Sequence, residues 1–435
     1  MIANFGTYLK KLFNTDFFKN SLILIIGTGI AQTIPIAMQL YLRRVYAPED
    51  FGAFSVYMNI LGILAIIVTL RYEIAIVLPE TNSKAANLLG LTMGFSLIIN
   101  FLLAFVFIVF HYPIIRLLNL PDKYGVFLYF IPLGVFMFSS YQAINYYLIR
   151  IKAFKASSIN KISRRVTEGV VQVLFGIAKL PIGLVLADLS GNVANNLSGI
   201  NQIVKKGGDL RSISVKRMLS VCKEYIHFPK YNLLPAVLDS ITLALPIFFI
   251  NKFFSAKYAG YVDLTKLAIV VPLSLISTAI SQVLLQKISE RRKANQKILG
   301  DIFRLSIILF TISIAVLLII QFWSANLFQL VFGEKWALSG QIAKILVFSY
   351  TIRFIVSPLS IVFLALEKIK VQAFWQITYF LLIGSLIFFS DFEFQRFLRL
   401  FVILEVISYV LYYSIIIKVS RDYDKNIINY DYRQS

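Results

Sequence analysis

Two apolar stretches, each of about 20 residues and set back to back, constrain this chain more than any other feature. The first follows Glu224-Tyr225-Ile226-His227-Phe228-Pro229-Lys230-Tyr231-Asn232 and holds Asp239 and Pro246. After a break at Asn251–Gly260 the second holds Pro272 and Gln282, and it closes on Lys287, Arg291, Arg292 and Lys293. Both basic flanks lie on one side and the tight turn on the other, which is the pattern of a helical hairpin across a bilayer. In hydrocarbon every backbone N–H and C=O must be bonded within its own segment, so such runs fold as helices.

Similar runs recur along the whole chain, near 21–42, 52–77, 85–110, 124–149, 159–178, 181–203, 231–251, 259–285, 302–323, 337–365, 371–390 and 395–417. The expected fold class is an all-α polytopic membrane protein. It has about twelve transmembrane helices in two pseudo-symmetric six-helix bundles around a central cavity. The corresponding boundaries are 21–203 and 231–417 for the bundles, with a basic linker over 204–230 and a cytoplasmic tail over 418–435. Residues 1–20 carry Phe5, Tyr8, Leu9, Leu12 and Phe13 on one helical stripe. They read either as an interfacial helix or as an extension of the first span.

Composition agrees. Apolar residues make up 58% of the chain and mean hydropathy is +0.76, against roughly 45–50% apolar in soluble domains. The net charge of +21 would suggest nucleic acid in a soluble protein. Here Lys and Arg concentrate roughly three to one in the loops of one side, which by the positive-inside rule is the cytoplasm. Both termini are therefore expected in the cytoplasm, with membrane lipid and no nucleic acid as partner. Cys222 is the only cysteine and His111 and His227 the only histidines, so no disulfide, metal site or catalytic centre is expected.

The two halves echo each other. Tyr46-Ala47-Pro48-Glu49-Asp50-Phe51-Gly52-Ala53-Phe54 follows the first span, and Phe253-Phe254-Ser255-Ala256-Lys257-Tyr258-Ala259-Gly260-Tyr261 follows the seventh. A second echo joins the basic turns Tyr147–Lys155 and Leu364–Lys370. Two like bundles form the architecture of alternating access.

At several of these residues the chain resembles a known family. Tyr225, Phe228-Pro229-Lys230-Tyr231, Gly260-Tyr261, Pro272 and Gln282-Val283 are similar to its second-half signature. Arg71-Tyr72-Glu73-Ile74-Ala75-Ile76-Val77-Leu78-Pro79 is similar to its motif closing span two. These belong to the polysaccharide-biosynthesis transporters, the O-antigen flippases of the multidrug/oligosaccharidyl-lipid/polysaccharide exporter superfamily. The resemblance implies translocation of an undecaprenyl-diphosphate-linked glycan between leaflets, with a polysaccharide polymerase or glycosyltransferases of the same pathway as partners.

Charge at membrane depth is expensive, so ionisable residues within spans are functional candidates. They are Arg71, Glu73, Glu168, Asp188, Asp239, Asp263, Lys266, Lys344, Arg353 and Glu405. Substrate contact is assigned as a hypothesis to Arg353, Lys344, Arg71, Glu73 and Lys266. Arg71 and Glu73, two apart, need not pair, and they serve either a cytoplasmic mouth or as snorkelling caps. Asp263 and Lys266 share a helix face and read first as a local ion pair. Lys344 and Arg353 lie about 13.5 Å apart on nearly opposite faces, so at most one lines a cavity. Arg353 is preferred because a guanidinium meets phosphate oxygens bidentately. Asp239, near Pro246, is the candidate for coupling to Na⁺ or H⁺ through a broken helix, with pairing to a base as the alternative. No other cofactor is expected.

The linker places Ile213, Met218, Leu219, Cys222, Tyr225 and Ile226 among bases. This suits an amphipathic helix on anionic lipid, or a glycosyltransferase contact. Two other functions compete, a cation-coupled multidrug efflux pump of the same superfamily and a membrane polysaccharide polymerase or glycosyltransferase. The enzyme reading lacks a large acidic external loop or any Gly-rich phosphate cradle.

Overall fold

Apolar runs without charge for about 18 residues or more have no stable alternative to helix in a bilayer. The computed structural model, which describes residues 34–434 and side chains as far as Ile427, is helical throughout, with no strand among the described residues. The expected interfacial helix over residues 1–20 and half of the first expected span lie outside the described residues.

The long helices are α1 (34–45), α2 (Pro48–Thr69), α3 (Asn82–Val109), α4 (Ile131–Arg150), α5 (Phe154–Ile177) and α6 (Ile182–Lys205). They continue with α7 (Val215–Glu224), α8 (His227–Phe253), α9 (Ala256–Lys293), α10 (Leu299–Phe332), α11 (Ala337–Val356), α12 (Ile369–Gly384) and α13 (Phe394–Gln434). Eight described helical stretches are long and apolar enough to cross a membrane, or nine when a pair bent by 46° before and within α4 counts as one. Twelve spans were expected. Helices α5 and α6 reach 24 residues each, ample for a bilayer, but are too polar to qualify. Their polar groups are turned on each other: Asn195 Nδ2 donates to Asn160 O at 2.9 Å, and Gln202 Nε2 and Ser198 Oγ donate to Asn160 Oδ1 at 2.7 Å.

By contacts the chain falls into two compact units, one ending at Val237 and the other beginning at Leu238. In the first unit α5 packs on α6 and α3 on α4, and α7 lies on α3. The linker helix is anchored there, because Val221 is buried in the same apolar cluster as Tyr72, Leu88 and Tyr147, and Tyr72 Oη donates to Cys222 O at 2.9 Å. Met218 and Cys222 pack on that core, while Val215, Leu219 and Ile226 remain exposed. In the second unit α10 packs on α11, and α11 also contacts α9 and α13.

The basic cluster expected in a loop, Lys287 to Lys293, sits instead on the last turns of α9. Cations there oppose the negative end of the helix dipole, and Lys287 Nζ and Arg291 Nε pair with Asp301 of α10 at 2.8 and 2.6 Å. The expected tail is the continuation of α13. Its Asp424 accepts from the N–H groups of Ile298 and Leu299 at 2.9 and 3.2 Å, capping α10, whose own N-cap Ile298 has no side-chain acceptor. The two echoing basic turns share one geometry. Lys152 (φ 54°) and Glu367 (φ 58°) are both left-handed, and each closes its helix with the same pair of backbone bonds.

Helices α10 and α11 touch backbone to backbone. A Cβ on Gly340 would lie 2.6 Å from Ala325 Cα and 2.6 Å from Ser324 O, and Ser324 Oγ donates to Gly340 O at 2.7 Å. Small residues permit such approach between apolar helices. Gly340→Val is therefore expected to cost about 3 kcal/mol of stability, read as a lowered melting temperature of the purified protein. A wild-type melting temperature would show that the two helices yield.

Candidate functional site

The charged side chains sort into pairs that neutralise themselves and a pair of bases that do not. In the first unit, Arg164 of α5 donates through Nη2 to Asp188 Oδ1 of α6 at 3.1 Å, with both side chains buried. Asn192 Nδ2 donates to the other oxygen at 3.1 Å, and the guanidinium lies over Tyr141 and Phe138. Glu168 pairs with Arg165 at 2.7 Å. Lys161, Arg164 and Arg165, which are absent from the intramembrane charges singled out in the sequence, all lie on α5. Helical periodicity alone did not place Arg164 opposite Asp188, since they meet only once the hairpin folds.

Arg71 and Glu73 do pair, at 3.1 Å. The reading that they need not pair assumed one continuous helix. Leu70 and Arg71 instead take left-handed φ values of 50° and 65°, which ends α2 and turns the next short helix, Tyr72–Ala75, so that Glu73 meets Arg71. Arg71 gives Nη1 to Glu73 and keeps its buried Nε without a partner.

The second unit gathers Lys266, Arg353 and Glu405. A recess of about 30 Å³ is lined by Thr242, Pro246, Lys266, Tyr350, Arg353, Tyr379 and Glu405, among others. Tyr379 Oη donates to Glu405 Oε1 at 2.7 Å, and Glu405, 3% exposed, has no partner for Oε2. Trp375 stacks on Tyr379 and Tyr412 and donates to Ser408 O at 3.1 Å, which fixes α12 against α13 behind the carboxylate. Neither Lys266 nor Arg353 makes a side-chain hydrogen bond or ion pair among the described residues. Beside this recess, Arg353 and Tyr350 also line an open cavity of about 150 Å³ with Ser274, Ser277, Thr278, Ser281 and Ser357. Two bases and one acid thus line the two spaces.

Lys344 stands apart. It lies on the side of α11 towards α10, where its carbonyl accepts from Gln321 Nε2 at 2.7 Å, and it lines neither space. Nine residues is two and a half helical turns, so the two bases point oppositely, and α11 passes into a 3₁₀ turn at Ser357–Ser360 only beyond both. Asp239 is exposed on α8 and accepts from Gln376 Nε2 of α12 rather than from a base. The broken helix expected around it is absent, because α8 runs unbroken from His227 to Phe253 through Pro246. Proline still removes one ladder bond, leaving the Thr242 carbonyl without its usual donor. Among the described residues no group of three or more His, Cys, Asp or Glu could hold a metal ion. The hydroxyl row on α9 is the part that sequence reading missed, since Ser and Thr within an apolar helix carry no periodic signal of their own.

Residues 41–340 match the family of polysaccharide biosynthesis proteins. The chain belongs to that family. The matched segment takes in Lys266 and the hydroxyl row of this polysaccharide biosynthesis protein, while Arg353, Tyr379 and Glu405 lie beyond it. No curated protein matches the chain. Among solved structures it is similar to a multidrug resistance MATE family transporter of the MOP superfamily in an inward-facing conformation. That likeness has a TM-score of 0.73 at 14% identity, covering 92% of this chain and 99% of that one. It is also similar to the lipid II flippase MurJ in an inward closed conformation, with a TM-score of 0.69 at 14% identity, covering 94% and 91%. A MOP superfamily transporter from Pyrococcus furiosus gives 0.59 at 14% identity, covering 93% and 95%. The polysaccharide biosynthesis protein therefore has the fold of MOP-superfamily transporters and flippases, and it is a multi-pass membrane protein.

Proposed function

We propose that this protein is a flippase. It carries an undecaprenyl-diphosphate-linked oligosaccharide, an O-antigen or capsular repeat unit, from the cytoplasmic to the outer leaflet of a bacterial inner membrane by alternating access. Both termini lie in the cytoplasm, and the enzymes that build and polymerise the glycan are its partners. The observation that carries this reading is the pair Lys266 and Arg353, unbonded bases lining a recess and cavity at membrane depth. A guanidinium in a span is costly, and a diphosphate head supplies oxygens to the donors that no side chain here accepts from. Family membership and the fold shared with a lipid II flippase support the same cargo class.

The test is reconstitution. Proteoliposomes holding the purified chain and a fluorescent undecaprenyl-diphosphate-linked oligosaccharide are expected to move the glycan across the bilayer, read as protection from an added glycosidase. Transport of a cationic dye with no movement of the lipid would overturn the reading in favour of drug efflux.

Coupling falls to Asp239, whose carboxylate accepts from the Gln376 amide. An exposed carboxylate on a span offers oxygen ligands to Na⁺, or a site for H⁺. In the same vesicles Asp239→Asn is expected to flip substrate without responding to an imposed Na⁺ or pH gradient. An unaltered gradient response would assign the coupling elsewhere.

A further inference from the structure

We propose that the hydroxyl row Ser274, Ser277, Thr278 and Ser281 of α9, with Ser357, reads the sugar next to the diphosphate, as a surface of hydrogen-bond acceptors for glycan O–H and N–H groups. This rests on the reading above that the cargo is a lipid-linked glycan.

The four α9 positions are spaced i, i+3, i+4 and i+7, which places them on one face, and all four line the cavity that also holds Arg353. What that face offers a ligand follows from counting protons. A hydroxyl has one proton and two lone pairs. Ser274 Oγ donates its proton to Val271 O at 2.7 Å, Thr278 Oγ1 to Ser274 O at 2.8 Å, and Ser281 Oγ to Ser277 O at 2.9 Å. Three protons are thus committed to the helix's own carbonyls, and only lone pairs remain for the cavity. Lone pairs do not bind phosphate oxygens, which are acceptors themselves. They do bind the O–H groups of a sugar and the N–H of an acetamido substituent. Arg353 is the opposite case, all donors and no acceptor.

The cavity therefore has one wall for anionic oxygens and another for hydroxyl and amide donors, side by side, as they follow one another where a glycan joins its diphosphate. Ser277 and Ser357 have no side-chain bond among the described residues and keep both capacities. Glu405 Oε2, buried and unpartnered in the recess behind Arg353 and Tyr350, adds another acceptor.

The experiment compares two probes on the full-length chain in nanodiscs by native mass spectrometry: undecaprenyl diphosphate, and undecaprenyl diphosphate carrying one N-acetylglucosamine. The wild type is expected to prefer the glycosylated probe about tenfold, the value of one or two hydrogen bonds. In Ser274→Ala/Thr278→Val/Ser281→Ala that ratio is expected to fall towards one, and Ser281→Thr, which keeps a hydroxyl, to retain it. Should the triple variant fail to fold, Thr278→Val alone, which keeps the side-chain shape, is read for the same fall. A wild type without preference, or variants that keep the wild-type ratio, overturns the sugar-reading row. Arg353→Ala is expected to weaken both probes alike. A wild type that binds neither probe overturns the flippase reading itself, a result distinct from loss of the ratio alone.

Discussion

Arg353→Ala is expected to abolish glycan export while the folded protein accumulates at its normal level. Arg353 makes no hydrogen bond or ion pair with another side chain among the described residues, so its removal breaks no such bond, and it lines both the open cavity and the recess beside it. Its loss falls on the ligand. A hydrogen bond to a charged group is worth about 1.5–3 kcal/mol, and a bidentate guanidinium makes two of them. Transport is therefore expected to drop at least about a hundredfold. Arg353→Lys keeps the charge and loses the planar fork, so it should fall between the two. The measurement is flipping rate per folded molecule in proteoliposomes, and undiminished transport by Arg353→Ala would refute the role.

The second large effect is on folding. Asp188→Ala leaves the Arg164 guanidinium buried between α5 and α6 with its ion-pair partner gone. It keeps Tyr141 and Phe138 beneath it and the Glu168 carboxylate, already paired with Arg165, nearby. Breaking a buried pair from one side typically costs about 3–5 kcal/mol, enough to deplete the protein from the membrane. Removing both charges together, as Arg164→Met/Asp188→Leu, is expected to recover most of that loss. Melting temperature and membrane level of the three proteins decide it. If the single variant is as stable as the double, the pair is not what holds the hairpin together.

These two sites differ in how far the sequence exposed them. Arg353 stood out because a charge in an apolar run is rare, and its facing away from Lys344 follows from helical spacing. That Lys266 would share its cavity did not follow, since it takes the packing of α9 against α11 to bring them together. Arg164 was hidden for the opposite reason, sitting among Lys152, Lys155, Lys161 and Arg165 near the start of its helix, where bases usually belong to a loop. The Arg71–Glu73 pair depended on two consecutive left-handed residues, a backbone state that neither Leu70 nor Arg71 favours. The hydroxyl row was invisible because its chemistry depends on which protons the helix has already claimed. Helices were legible wherever apolar residues ran unbroken, and least so in α5 and α6, whose polarity makes sense only as a matched pair.

Asp424 gives the end of the chain a duty that its composition would not suggest. The carboxylate closing the first turn of α10 comes from beyond the last apolar stretch of α13. A nonsense codon a few positions upstream would keep every hydrophobic segment, yet it would leave two amides at the head of α10 unanswered, that of Ile298 buried. The reach of this terminal helix is thus a length standard for the second half, and insertions or deletions between Ile416 and Asp424 would rotate the acid away from its target by about 100° per residue.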